Sequence, residues 1–172
     1  MPESPRPRTI VAVTGDHGRY TAIRARAASM AAGDGARVLL YDLEAASAFA
    51  SPVPTNWSSG GAEEAFPDRL TPEDAERAGR ANLAEQVRSL RQLGVDAWGW
   101  LPRESGGEAL AAYAAAQGAE VILVPPELEH PGLMDRIQGK KLDMTEAAAG
   151  VPVVVVAPDD EAADPMRPAD TR

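Results

Sequence analysis

The sequence contains no cysteine among its 172 residues. Disulfide bridges, thiolate catalysis and cysteine-based zinc sites are therefore excluded. A chain without cysteine suits a reducing cytoplasm, although it is equally compatible with export. We expect a cytoplasmic protein.

Long apolar runs and an excess of basic residues are also missing. The stretch Thr9–Val13 is too short for a signal-peptide core, and no segment approaches the length of a membrane span. The formal net charge is −9, whereas a nucleic-acid-binding domain normally carries a basic face. The sequence therefore predicts neither a membrane partner nor a nucleic-acid partner.

Short apolar segments alternate with segments of helical periodicity, which is typical of an α/β fold. The predicted strands are Thr9–Val13, Arg37–Asp42, Val95–Leu101, Val121–Val124 and Val151–Ala157. The predicted helices run from about Tyr20 to Gly33, from Thr71 to Leu93, from Ser105 to Gly118 and from Leu133 to Ala149. Continuous apolar strands indicate a sheet that is covered on both faces. We predict a doubly wound, five-stranded parallel sheet in the order 3-2-1-4-5.

The domain organisation follows from what surrounds these elements. Residues 1–8 contain three prolines and are predicted to form a flexible arm, and residues 9–158 form the α/β domain. Residues 46–70 form a long, variable polar loop, and loops of this length are usually functional or disordered. Residues 159–172 are acidic and lack periodicity, so we expect a disordered tail.

The ligand crevice of such a sheet lies where the strand order reverses, beyond the carboxyl ends of the first and fourth strands. Those ends are Thr14–Gly18 and Pro125–Pro131. We interpret the first as a strand-to-helix turn with Asp16 as a helix cap. Two alternatives stay open: backbone N–H groups of Gly15 and Gly18 that hold an anion, and a metal site.

The metal alternative rests on the two histidines of the chain. His17 and His130 are predicted in loops at the same end of the sheet. With Asp16, Glu127 and Glu129 they would form a mixed histidine and carboxylate site. Surface residues at the rim of a cleft are the simpler interpretation, so we expect no metal.

From about residue 9 to residue 158, the chain resembles the universal stress protein family. Members carry an Asp at the end of the first strand, and near the C-terminus a signature of Gly, two residues, Gly, nine residues, Gly, then Ser or Thr. Gly132, Gly139 and Pro152 fall at the spacing of this pattern. The resemblance implies a fold of the adenine nucleotide alpha hydrolase type, an ATP site, and a dimer formed through the last strand.

The residues at the signature positions differ from the family pattern. The predicted nucleotide-site residues, taken from the signature positions and from the loop after the first strand, are Thr14, Gly15, Asp16, Pro126, Glu129, Gly132, Gly139 and Lys140. Thr14 replaces the Asp, Pro126 and Glu129 replace the first two glycines, and Lys140 replaces the Ser or Thr. Prolines offer no N–H to a phosphate, and carboxylates repel it. We therefore predict weak or absent ATP binding.

The predicted function is that of a regulatory or stress-related protein that acts by binding. No serine lies in a nucleophile elbow, and we predict no catalytic residue and no enzymatic activity. The valine-rich strand Val151–Ala157 is predicted at a sheet edge, where it would pair with a second copy in a homodimer; a further protein partner is also expected. The alternative is a nucleotide- or small-anion-binding protein with a remodelled phosphate pocket. Detection of weak ATPase or nucleotidyl transferase activity would indicate that the protein is an enzyme after all.

Overall fold

A computed structural model of the chain describes residues 7–45, 69–102, 107–129 and 150–158. In these ranges five strands form one sheet: β1 Thr9–Thr14, β2 Arg37–Asp42, β3 Asp96–Trp100, β4 Ala119–Val124 and β5 Val153–Val155. Each neighbouring pair is parallel, and the order is β3-β2-β1-β4-β5. The predicted order 3-2-1-4-5 is confirmed.

Helices cover both faces of this sheet. They are α1 Thr21–Asp34, α2 Pro72–Arg77, α3 Ala81–Gln92, α4 Gly107–Ala116 and the single turn α5 Pro126–Glu129. A 3₁₀ turn, Gly18–Tyr20, precedes α1. On β3, Gly99 lies against Leu83 of α3, while the ring of Trp100 stacks on Tyr113 of α4 with the ring centroids 4.8 Å apart. Because successive strand residues point to opposite faces, α3 and α4 lie on opposite sides.

The central strands form the core. All six residues of β1 are buried, and so are the last five residues of β2 and the last four of β4. Val11, Leu39 and Ile122, at the centres of these strands, have no exposed surface. A parallel sheet between two helical layers leaves no strand face open to water, which explains the uninterrupted apolar runs of the sequence.

The helix predicted from Thr71 to Leu93 is two helices, so that prediction is wrong in its continuity. Gly79 has a φ of +76° between α2 and α3, a conformation that ends a helix and that glycine adopts without strain. Leu93, the predicted last residue of this helix, follows the last residue of α3 and is 70% exposed. The predicted start is confirmed: the Thr71 hydroxyl accepts a hydrogen bond from the Asp74 N–H, and the Asp74 carboxylate accepts one from the Thr71 N–H.

The last strand is shorter than predicted. β5 comprises three residues instead of the seven from Val151 to Ala157, because its ladder is limited to the end of β4, from Ile122 to Val124. Hydrogen bonds from Ile122 N–H to the Pro152 carbonyl and from Val156 N–H to the Val124 carbonyl continue the pairing at each end. β5 has β4 as its neighbour on one side and is an edge strand of the described sheet.

Other predictions lie partly or wholly outside the described residues. These are the arm up to residue 6, the loop from 46 to 68, the helix Leu133–Ala149 and the tail from residue 159. The domain boundaries drawn from them stay predictions. In the described part of the chain, no helix combines the length and the apolar character that crossing a membrane requires.

Candidate functional site

Two polar side chains are buried at the carboxyl ends of the central strands. Thr14 ends β1 and Asp42 ends β2, and the two residues pair in register. Thr14 is 1% exposed and Asp42 is fully buried. Since a buried polar group needs hydrogen-bond partners, these two residues organise the side chains around them. We call this set the strand-end network, and its members are Thr14, Asp16, Arg24, Asp42, Glu44, Arg80 and Gln86.

One half of the network is built on Arg80, which lies between α2 and α3. Its Nε donates to Asp42 Oδ2 at 2.7 Å, and its two Nη atoms donate to the two carboxylate oxygens of Asp16 at 2.8 and 3.2 Å. Glu44 Oε2 lies 3.9 Å from Arg80 Nη2, and the Glu44 N–H donates to Asp42 Oδ1 at 3.0 Å. Arg80 thereby joins the turn after α2 to the ends of both strands.

The charges in this half shift one another's proton affinities. Burial raises the pKa of Asp42, and hydrogen bonds from Arg80 offset that rise only in part. Burial also acts to raise the pKa of Asp16, but hydrogen bonds from Arg80 and Asn82 outweigh it and lower that pKa. Burial and the hydrogen bond between its carboxyl group and that of Asp16 raise the pKa of Glu44. The Arg80 charge is therefore committed to carboxylates of its own chain.

The other half of the network surrounds the Thr14 hydroxyl. It donates to Gln86 Oε1 at 2.7 Å, and the Gln86 amide nitrogen donates to the Gly15 carbonyl at 3.1 Å. Arg24 Nη1 donates to Thr14 Oγ1 at 3.1 Å, and Arg24 Nη2 donates to Thr21 Oγ1 at 3.3 Å. Burial lowers the pKa of Arg24. This guanidinium thus contacts neutral acceptors, in contrast to Arg80.

The structure brings together the first three predicted site residues, but it corrects the role of one. Asp16 was expected to cap a helix; the 3₁₀ turn and α1 have no side-chain cap, and Asp16 instead accepts hydrogen bonds from Arg80. Gly15 is buried next to Tyr20, and a Cβ at Gly15 would lie 2.7 Å from the Tyr20 ring. Close packing therefore requires glycine at this position.

The second group of predicted site residues follows β4. The sequence predicted a loop here, but Pro126–Glu129 forms one helical turn, closed by a hydrogen bond from the Leu128 N–H to the Pro125 carbonyl at 3.1 Å. The side chain of Glu129 and the residues Gly132, Gly139 and Lys140 lie outside the described residues. Their contribution to a site stays a prediction.

The sequence interpretation missed five members of the network, which are Arg24, Asp42, Glu44, Arg80 and Gln86. Arg80 follows a glycine and Gln86 lies within a helix, and neither residue belongs to a recognisable sequence motif. In the sequence, Arg24 looks like an ordinary charged residue on the exposed face of a helix. Asp42 had a usable signal, because a carboxylate at the end of an apolar strand must find a partner when it is buried. No pattern in the sequence names that partner.

The metal alternative gains no support from the described part of the chain. No group of three or more histidine and carboxylate side chains there has a geometry that could hold a metal ion. His17 Nε2 lies 3.5 Å from Glu44 Oε1, and the His17 side chain is 70% exposed. The remaining residues of the hypothesis, Glu127 and Glu129 with His130, have side chains outside the described set.

Several solved structures are similar to the structure of this chain. A universal stress protein from Archaeoglobus fulgidus, solved in complex with dAMP, is 18% identical, with a TM-score of 0.51 over 87% of this chain and 97% of that one. A universal stress protein in complex with cAMP is 14% identical, with a TM-score of 0.55 over 88% and 97%. One from Burkholderia pseudomallei is 17% identical, with a TM-score of 0.50 over 87% and 95%. The chain therefore has the fold of universal stress proteins.

Comparisons of sequence do not extend this result. No protein-family model matches the chain, and no curated protein sequence matches it. At identities of 14–18%, the structural likeness shows a shared fold alone. What the site does must be argued from its own residues.

Proposed function

Starting from the fold that it shares with universal stress proteins, we propose that this protein is a cytoplasmic, stress-related or regulatory protein that acts by binding and dimerisation. It binds ATP weakly or not at all, and it has no catalytic activity. One observation carries the proposal: the polar groups at the ends of β1 and β2 are bonded to one another. Thr14 is engaged by Gln86 and Arg24, and Asp42 is engaged by Arg80.

The electrostatics of the strand ends oppose a triphosphate. Three carboxylates, those of Asp16, Asp42 and Glu44, surround the single charge of Arg80. Two unit charges about 5 Å apart in an effective dielectric near 20 interact by about 3 kcal/mol. A triphosphate placed against the exposed carboxylates would meet this repulsion more than once.

The backbone after β4 is equally unsuited to phosphates. Pro125 and Pro126 are consecutive and have no N–H to donate. Within the turn that follows them, the Leu128 N–H is already bonded to the Pro125 carbonyl. Phosphate sites depend on several converging backbone N–H groups, and this turn supplies few of them.

A second candidate function is a nucleotide- or small-anion-binding protein with a remodelled pocket. The solved complexes of universal stress proteins with dAMP and cAMP make it worth testing. Arg24 favours it, because this partly buried guanidinium contacts hydroxyl groups and has no carboxylate partner among the described residues.

The dimer proposal rests on the edge strand β5. Val154, at its centre, is 38% exposed, and a partly exposed apolar edge strand favours pairing with another chain. Val154→Lys would place a charge at that edge. Sedimentation velocity is expected to show a dimer for the wild type and a monomer for this variant; a wild type that is monomeric at micromolar concentration would contradict the proposal.

Equilibrium dialysis tests the proposed nucleotide behaviour. We expect ATP to bind too weakly to measure at micromolar concentration, and no nucleotide to be found by mass spectrometry in the purified protein. Co-purified dAMP, cAMP or another adenine nucleotide would instead favour the second candidate. ATP turnover that is lost in Lys140→Ala would contradict the absence of catalysis.

A further inference from the structure

The guanidinium of Arg24 is held in place by neutral groups alone within the described chain. Its Nη1 donates to Thr14 Oγ1 at 3.1 Å and its Nη2 to Thr21 Oγ1 at 3.3 Å. A charged side chain that is withdrawn from water normally has a counter-charge. No carboxylate of the described residues forms an ion pair with Arg24.

The orientation of Arg24 is fixed by a directed chain of hydrogen bonds. The Gly15 carbonyl accepts from the Gln86 amide nitrogen, so the Gln86 oxygen faces Thr14 and accepts its hydroxyl proton. The Thr14 oxygen is then left to accept from Arg24. Each donor has one defined acceptor, and the chain holds the guanidinium without neutralising it.

Arg80 provides the internal comparison. It occupies the same strand ends, but its three donors are bonded to Asp42 and Asp16, with Glu44 close by. Such carboxylate partners are what we expect around an arginine that stabilises the fold. Arg24 keeps its positive charge beside the buried end of β1, and burial lowers its pKa because no counter-charge offsets the lost hydration.

We propose that Arg24, positioned by Thr14 and Gln86, binds a single phosphate group of a small ligand at the carboxyl end of β1. The planar guanidinium has five N–H donors, and two Nη atoms are engaged by hydroxyl groups, so further donors are available for a tetrahedral oxyanion. The carboxylates around Arg80 limit the ligand, because they repel a longer chain of phosphates. The inference rests on the second candidate function, the binding of a small anion, and names its site and ligand class; it does not depend on dimerisation.

Titration with inorganic phosphate at constant ionic strength tests the assignment. Binding is measured by calorimetry and by the broadening of the ³¹P resonance. We expect saturable binding to the wild type. Arg24→Met is expected to weaken it by about tenfold or more, because a charge-assisted contact is lost. Arg24→Lys is expected to fall in between, since it keeps the charge but loses the planar fork.

Arg26→Met is the matched control. Arg26 lies on the same helix, is exposed, and its loss removes the same charge. The phosphate affinity of the Arg26→Met variant is expected to stay within about twofold of that of the wild type, since exposed charges are largely screened. Equal losses in the Arg24→Met and Arg26→Met variants would overturn the assignment, because they would indicate general attraction to the helix surface.

Two further results would also overturn it. The first is phosphate binding that Arg24→Met leaves unchanged, which would place the anion elsewhere. The second is no saturable binding to the wild type, which would mean that Arg24 acts as a structural group. Circular dichroism of each variant checks folding, and if Arg24→Met is unfolded, the charge-retaining Arg24→Lys carries the test. Tight ATP binding that depends on Arg24 would refute the proposed weak ATP affinity and still support this site.

Discussion

Removing Arg80 should expose the cost of the buried carboxylate at the end of β2. Arg80→Met keeps much of the aliphatic side chain and deletes the guanidinium that binds Asp42 and Asp16. The Asp42 side chain is 1% exposed and that of Arg80 is 15% exposed, so water cannot readily replace the lost partner. Breaking a buried ion pair from one side typically costs about 3–5 kcal/mol.

Protonation sets an upper limit to this loss. Without Arg80, Asp42 can take up a proton instead of staying charged in the core. From an unperturbed pKa near 3.9, neutralising an aspartate at pH 7 costs about 4 kcal/mol, at about 1.4 kcal/mol per unit. We therefore expect Arg80→Met to lower the free energy of unfolding by about 2–4 kcal/mol at pH 7, measured by urea denaturation.

The same reasoning gives the pH dependence. Burial raises the pKa of Asp42 even with Arg80 present, and more so without it. When the folded-state pKa lies above the unfolded one, stability falls as the pH rises through the interval between them. The deficit of Arg80→Met should therefore be small near pH 4 and grow as the pH rises. Arg80→Met/Asp42→Asn should recover much of the loss, because no buried charge remains.

The control is an arginine with a short but exposed ion pair. Arg77 Nη2 lies 2.6 Å from Asp74 Oδ1, and the Arg77 side chain is 76% exposed. Arg77→Met is expected to change the free energy of unfolding by about 0.5 kcal/mol or less. If Arg80→Met costs no more than Arg77→Met, or if its deficit does not depend on pH, the account of the strand-end network is refuted.

Three other predictions use the same assays. Asp74→Asn should be less stable than the wild type by about 0.5–1 kcal/mol at pH 7 in urea denaturation. The hydrogen bond from the Thr71 hydroxyl lowers the pKa of Asp74, so the difference should be fully present above pH 4 and should shrink as the pH falls through the lowered pKa. Gly15→Ala should lower the free energy of unfolding by about 1–3 kcal/mol, because its Cβ would meet a tyrosine ring at 2.7 Å. Gly18→Ala, which meets nothing within 4 Å, should change it far less, and equal losses would contradict the packing argument. Val154→Lys should yield a monomer in sedimentation velocity. Leu93→Lys, at the other exposed large apolar residue of the described ranges, should leave a dimer, and dissociation of both variants would argue against pairing through β5.

The fold was predictable because its determinants are local. Buried parallel strands produce uninterrupted apolar runs, and the short links between them define strand–helix–strand units of one handedness. The errors have equally local causes. A left-handed glycine at position 79 divides one helix into two, and the helical periodicity continues through Leu93 although α3 ends at Gln92.

The site was predictable only in its position. The topology places the ends of β1 and β4 at the switch point, and Thr14 ends β1 as expected. The partners could not be predicted in the same way. Gln86 is 72 residues further along the chain than Thr14, and Arg80 is 38 residues further along than Asp42, and each pair meets only through tertiary packing. Without an observed ion pair, the sequence favours reading Asp16 as a helix cap.

The affinity for ATP tests the central claim most directly. The proposal is that this chain has the fold of universal stress proteins while the residues at its strand ends are bonded to one another and repel a triphosphate. Isothermal titration calorimetry with ATP and magnesium at physiological ionic strength is expected to give a dissociation constant of about 1 mM or weaker. A dissociation constant in the micromolar range would contradict the account.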